Sequence, residues 1–225
     1  MRCPSVELAE VMRELEALGT ERTKKSYLSR GAREPLFGVA TGAMKPLAKQ
    51  TGIDQALADA LWDTGNYDAM YFAGMIANVR AMTEADFERW IAGAYSPMVA
   101  EHIVSVTLAE SDLAQVVANR WIRSGDESRQ TAGWACYEWL LGWRPDEYFE
   151  RETVGELLDL AAAGIGDASP AVQRAMRTFV VAAGVSYRPL HAEALKTAEA
   201  IGAAGSIRTA VEKGRIGFKR RAVRC

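Results

Sequence analysis

Apolar residues recur at spacings of three and four along almost the whole chain, the period of a helix with one buried face. In 5–18, Val6, Ala9, Val11, Met12, Leu15 and Leu18 fall on one side, and Gly19 follows as a stop. A second helix is predicted over 20–30, ended by Gly31, and "REPLFGV" reads as a loop. A helix over about 43–50 must begin late, because Pro46 is best tolerated in a first turn. "IDQALADALWDTG" and "NYDAMYFAGMIAN" predict a helix pair joined by a short glycine-containing turn. "TEADFERWIAGA" opens with Thr83 and Asp86 in capping-box register, where each side chain satisfies the other residue's backbone N–H. "YSPMVAEHIVS" starts a helix at Pro97 that continues to about Glu110, and Ser111 then reads as the N-cap of "DLAQVVANRWIRS". "ESRQTAGWACYEWLLGW" is broken at Arg144–Pro145, and another helix lies within 147–163. "SPAVQRAMRTFVVAAG" has Ser169 as N-cap and Pro170 at the first helical position, and "RPLHAEALKTAEAIG" repeats that signal more weakly.

No run alternates as a strand would. The expectation is an all-α chain of about 10–12 helices. Short connections make successive helices pack antiparallel, and a long series of such pairs suggests an α-α superhelix, a solenoid of the HEAT type. No fixed-period repeat is visible in the sequence, so a compact helical bundle is the alternative. The expected organisation is one repeat domain over 1–210 and a basic tail over 211–225.

Composition narrows the function classes. No stretch approaches the roughly 18 uninterrupted apolar residues of a membrane span. Glu7, Glu10, Arg13 and Glu14 interrupt what would be the apolar part of a leader, so the expectation is a cytoplasmic protein with no membrane partner, acting as a monomer. Cys3, Cys136 and Cys225 are too scattered for a metal site and read as free thiols. Net charge is only −2, but it is unevenly spread. The last fifteen residues hold six cations against Glu212, a net +5, which leaves −7 on the first 210. A second basic cluster, "ERTKKSYLSRGAR", lies at 21–33. Concentrated basic clusters on a mildly acidic body suit an anionic partner, although a short basic end is also what a solvated terminus looks like.

Candidate chemistry is sparse. No phosphate loop or dinucleotide fingerprint is present, the two histidines (His102, His191) have no metal-ligand spacing, and no cofactor or metal is implied. Arg22 with Lys25, Lys45 with Lys49, Arg120 with Arg123, and Arg174 with Arg177 stand three or four apart, so each pair shares one side of its helix. In 170–184 the apolar face is Val172, Ala175, Met176, Phe179, Val180 and Ala183, which turns Arg174 and Arg177 outward. Lys45, Lys49, Arg174 and Arg177, with Lys213, Arg215, Lys219, Arg220 and Arg221 of the tail, are candidate contacts to a phosphate backbone. Surface charge without a partner is the competing reading. Trp62, Trp90 and Trp121 sit in apolar registers and are expected in the core. Glu101 and His102 stand early in a largely apolar helix, and on the residues alone Glu101 reads as a rim carboxylate bonded to an arginine.

"LFGVATGAMKPLAKQ" (36–50), "ALWDTGNYDAMYFAGMIA" (60–77), "RWIRS" (120–124) and "EKGRIGFKRR" (212–221) resemble the DNA alkylation repair proteins of the AlkD type. The resemblance implies a HEAT-like solenoid with a cationic face for duplex DNA. It also implies excision of positively charged alkylated purines, such as 3-methyladenine and 7-methylguanine, without full extrusion of the base. A carboxylate there stabilises positive charge developing on the sugar, and aromatic faces assist by cation–π attraction. The family's catalytic aspartate falls on Glu101, and its two aromatic partners fall on Pro97 and on Thr178 or Phe179, so that Tyr95 and Phe179 are the expected aromatic supports. A DNA-binding solenoid without catalysis and a protein-interaction scaffold are the alternatives to an enzyme.

Overall fold

The computed structural model describes residues 4–212, and every regular element among them is helical. The chain forms two compact units, Met1–Leu113 and Ala114–Cys225.

In the first unit, α1 (Pro4–Leu18) buries Val11 and Leu15, while Leu18 at its end is exposed. Helix α2 (Glu21–Leu28) is capped by Thr20, whose side chain accepts from the Thr23 N–H. Helix α3 spans Thr41–Thr51 and therefore starts earlier than predicted, with Pro46 inside it. The carbonyl four residues before Pro46 belongs to Gly42, which is exposed, so water can reach the acceptor that proline cannot pair. Asp54 caps α4 (Gln55–Asp63) and Asn66 caps α5 (Tyr67–Ile76), and both side chains accept backbone N–H groups of the first turn. Helix α6 (Glu84–Ala92) carries both halves of the Thr83–Asp86 capping box. Helix α7 covers 97–110 in three parts: α-helical Pro97–Val99, a π-helical turn Ala100–Val104, and α-helical Ser105–Glu110. Helix α5 is central to this unit, packing against α1, α3, α4 and α7.

Trp62 and Trp90 are buried and stacked with ring centroids 4.4 Å apart and planes 5° from parallel. The Trp90 indole N–H donates to Asp59, which also pairs with Arg89, so the polar edge of the stack is satisfied.

The second unit begins with α8 (Ala114–Ile122), later than predicted, because the Ser111 hydroxyl closes a turn first. That hydroxyl donates to the Leu108 carbonyl and accepts from the Leu113 N–H. Helix α9 (Glu127–Trp143) is the buried centre, held between α8 and α11 (Pro170–Ser186). Helices α10 (Arg151–Gly164), α12 (His191–Ala200) and α13 (Ala204–Glu212) complete the unit, with 3-10 turns at Asp146–Tyr148 and Arg188–Leu190. The predicted apolar face of α11 is buried throughout, and Ser169 caps it through the Val172 N–H. His191 donates from Nδ1 to the Gly184 carbonyl at 2.6 Å, tying the start of α12 to α11. Among the described residues thirteen helices are present, counting 97–110 once; α13 is the one beyond the predicted set. Cys136 is a buried free thiol whose pKa burial pushes up, as expected of an unreactive core cysteine.

Candidate nucleic-acid interface

Glu101 sits in the π-helical turn of α7. In a regular α-helix the Ser105 N–H would bond to the Glu101 carbonyl. Here it bonds to Ala100 instead, one residue further back, and the freed Glu101 carbonyl accepts from the Ser105 hydroxyl. The buried Ser105 thus stabilises a turn that re-aims Glu101 and His102 relative to a straight helix. Glu101 is half-buried and His102 exposed. The far side of the turn packs on α5, where Gly74 leaves room: a Cβ there would lie 3.0 Å from Thr107 Oγ1 and 3.4 Å from Ile103 Cγ2.

Tyr95 is half-buried ahead of α7, and its hydroxyl donates to the Arg33 carbonyl at 3.5 Å, the limit of a hydrogen bond. Desolvation, chiefly, raises its pKa to about 12, so the hydroxyl remains a donor at neutral pH. The loop that Tyr95 touches is anchored by a residue the sequence did not single out. Asp68, fully buried in the first turn of α5, accepts from the N–H groups of Phe37, Gly38 and Val39 at 2.7, 2.8 and 2.9 Å. Three consecutive amides around one carboxylate form an anion nest, here filled by the protein itself. Gly38 has φ +80°, and a Cβ there would lie 2.5 Å from the Lys24 nitrogen, so only glycine fits. The Tyr27 hydroxyl closes the loop by donating to the Val39 carbonyl at 3.0 Å.

The candidate cations of the first unit, Lys45 and Lys49, are both exposed on α3. Arg174 and Arg177 are exposed on α11 in the second, and Arg177 donates to Gln173 at 3.4 Å. Phe179, on the same helix, is fully buried against Trp134 at 5.1 Å and Tyr137 at 6.2 Å. Its ring has no face left for a ligand, which withdraws it from the aromatic role the resemblance suggested. Pro97 supplies no aromatic face at the other position. Trp139 and Trp143, by contrast, are half-buried, with centroids 5.0 Å apart at the end of α9. Beside them the Arg144 guanidinium lies 5.0 Å over the Tyr148 ring. Lys213, Arg215, Lys219, Arg220 and Arg221 lie outside the described residues.

A family model for DNA alkylation repair enzymes matches residues 11–213. The chain belongs to that family. A solved structure from "a new family of proteins related to the HEAT-like repeat DNA glycosylases with affinity for branched DNA structures" is similar over 97% of this chain and 99% of that one. The two share 48% identity with a TM-score of 0.93, so the HEAT-like helical fold is common to both. No curated protein sequence matches. Where the resemblance puts aromatic partners, this chain has a proline at 97 and a buried phenylalanine at 179. Among the described residues no helix is long and apolar enough to cross a membrane, and no group of acidic, histidine and cysteine side chains is placed to hold a metal.

Proposed function

We propose that this protein is a DNA-binding member of the alkylation repair family that recognises branched DNA rather than excising a base. The observation that carries the reading is its likeness, across nearly the whole of both chains, to a relative with affinity for branched DNA. Exposed Lys45 and Lys49 in one unit and Arg174 and Arg177 in the other are the phosphate contacts, extended by Lys213, Arg215, Lys219, Arg220 and Arg221. Phosphate contacts carry no sequence information, which suits a protein that reads the form of DNA. In this reading the protein acts as a monomer in the cytoplasm, on the nucleoid.

A second reading, excision of cationic alkylated purines, is favoured by one observation: Glu101 stands partly exposed on a π-helical turn, a distortion frequent at functional sites. A carboxylate there would stabilise positive charge developing on the sugar as the base leaves. The buried Phe179 and the proline at 97 argue against it, since of the aromatic supports the resemblance suggested only half-buried Tyr95 is left.

Incubation of purified protein with methylated duplex DNA separates the two. The proposal expects no release of 3-methyladenine or 7-methylguanine, together with retention of DNA at near-physiological salt. Release that is lost in Glu101→Ala would establish excision instead. Absence of any DNA retention would overturn both readings and leave a protein-interaction scaffold.

A further inference from the structure

The first unit carries a basic surface that neither the described candidate contacts nor the π-helical turn uses. Residues 22–33 hold five cations and no carboxylate. Lys24 is neutralised by Glu34 at 2.8 Å. Among the described residues Arg22, Lys25, Arg30 and Arg33 have no acidic partner within 4.0 Å, and all four are exposed. Four other exposed arginines, Arg89, Arg123, Arg151 and Arg208, each pair with a carboxylate, whereas exposed Arg177 donates to Gln173.

The segment is also held more firmly than a connection between two helices requires. The Ala32 N–H donates to the Tyr27 carbonyl at 3.1 Å, and the Pro35 carbonyl accepts from Tyr67 at 3.0 Å. Immediately after it, the Asp68 carboxylate fixes three successive amides. A buried carboxylate is a costly anchor for a mere linker. It fixes the backbone at 37–39, while the Tyr27 carbonyl and the Tyr67 N–H hold Ala32 and Pro35, so that less order is lost when exposed Arg30 and Arg33 engage a ligand. The Tyr95 hydroxyl on the Arg33 carbonyl joins this loop to the chain leading into α7 and Glu101.

We infer that the loop over 29–35, with the adjoining end of α2, is a preformed phosphate-binding surface that grips the DNA backbone through Arg30 and Arg33. Arg22 and Lys25 broaden its field. The inference rests on the DNA-binding reading above and adds to it a contact that neither the basic tail nor the α3 and α11 pairs supply.

The test is anisotropy titration of a labelled four-way junction and of a linear duplex of equal length, at salt from about 50 to 200 mM. It compares the wild type, an Arg30→Gln/Arg33→Gln double variant and Lys196→Gln as a control cation on α12. Both arginines are exposed, so the double variant should melt with the wild type, which circular dichroism checks first. Loss of two phosphate contacts lowers the slope of log affinity on log salt by about 1.8, and makes the fall in affinity across this fourfold range about twelvefold shallower. Lys196→Gln leaves the slope alone. Wild-type binding with an unchanged slope in the double variant overturns this inference and leaves the DNA-binding reading standing. A wild type that binds neither DNA overturns that reading, and the inference with it.

Discussion

Replacing Asp68 tests how the first unit holds its loop. The carboxylate is fully buried and accepts three backbone N–H groups, from Phe37, Gly38 and Val39. Asp68→Ala leaves all three without an acceptor. Phe37 is half-exposed and can turn to water, but Gly38 and Val39 are buried. An orphaned buried donor costs about 1–3 kcal/mol, so the two together with the weakened third predict a loss of about 3–5 kcal/mol. That corresponds to a fall in Tm of about 6–20 °C for a chain of this size. Asp68→Asn separates charge from volume, because an amide has one acceptor oxygen where the carboxylate has two. In either orientation its NH2 group opposes at least one of the loop amides, so it should resemble Asp68→Ala more than the wild type. Thermal unfolding by circular dichroism reads the global effect. Amide hydrogen exchange at Gly38 and Val39 reads the local one, and both amides should lose their protection. An Asp68→Asn protein that melts within about 2 °C of the wild type, with both amides still protected, would refute the idea that this carboxylate anchors the loop.

Three further substitutions probe separate links. Thr131 is buried with its hydroxyl unpartnered, so Thr131→Val should be neutral or stabilising by about 1 kcal/mol in denaturant unfolding; a clear loss would mean that the hydroxyl has a partner. A Cβ on Gly133 would lie 2.9 Å from the Ala118 carbonyl oxygen and 3.0 Å from the Ile122 nitrogen, both backbone atoms. Gly133→Ala should therefore force α8 and α9 apart and cost about 1–3 kcal/mol, and an unchanged Tm would contradict that close approach. Hydrogen bonds from the Thr83 backbone and then its side chain hold the Asp86 pKa below its ordinary 3.8. A group depressed on folding contributes stability that is present above the unfolded value and lost as pH falls through the folded one. Asp86→Asn should thus cost about 1 kcal/mol near neutrality, and the difference from wild type should close below about pH 3.8; a gap that persists in acid would place the effect elsewhere.

What the sequence made legible was local. The Thr83–Asp86 box and the Ser169–Pro170 start are complete within four residues, and both form as read. The apolar register of α11 placed Phe179 inward, and it is buried. Pro46 misled because its usual cost depends on the fate of one carbonyl, and at Gly42 that carbonyl is exposed. The π-helical turn was hidden because it rests on one side-chain bond, from Ser105 to the Glu101 carbonyl, that competes with the regular ladder. Asp68 was hidden for the opposite reason. Its three partners lie 29–31 residues away, and nothing near it marks a buried carboxylate except its place in the first turn of an otherwise apolar helix. Exposure of Lys45, Lys49, Arg174 and Arg177 followed from spacing, but the bonds that hold Ala32, Pro35 and 37–39 around Arg30 and Arg33 join residues far apart in sequence or in irregular turns and emerged only with the structure.

Recognition of the form of DNA is best measured as the ratio of affinities for a four-way junction and a linear duplex of equal length, side by side at one near-physiological salt concentration. Tighter binding to the junction is expected, with no base released from methylated duplex under the same conditions. Equal affinity for the two, or release of a methylated base, would contradict it.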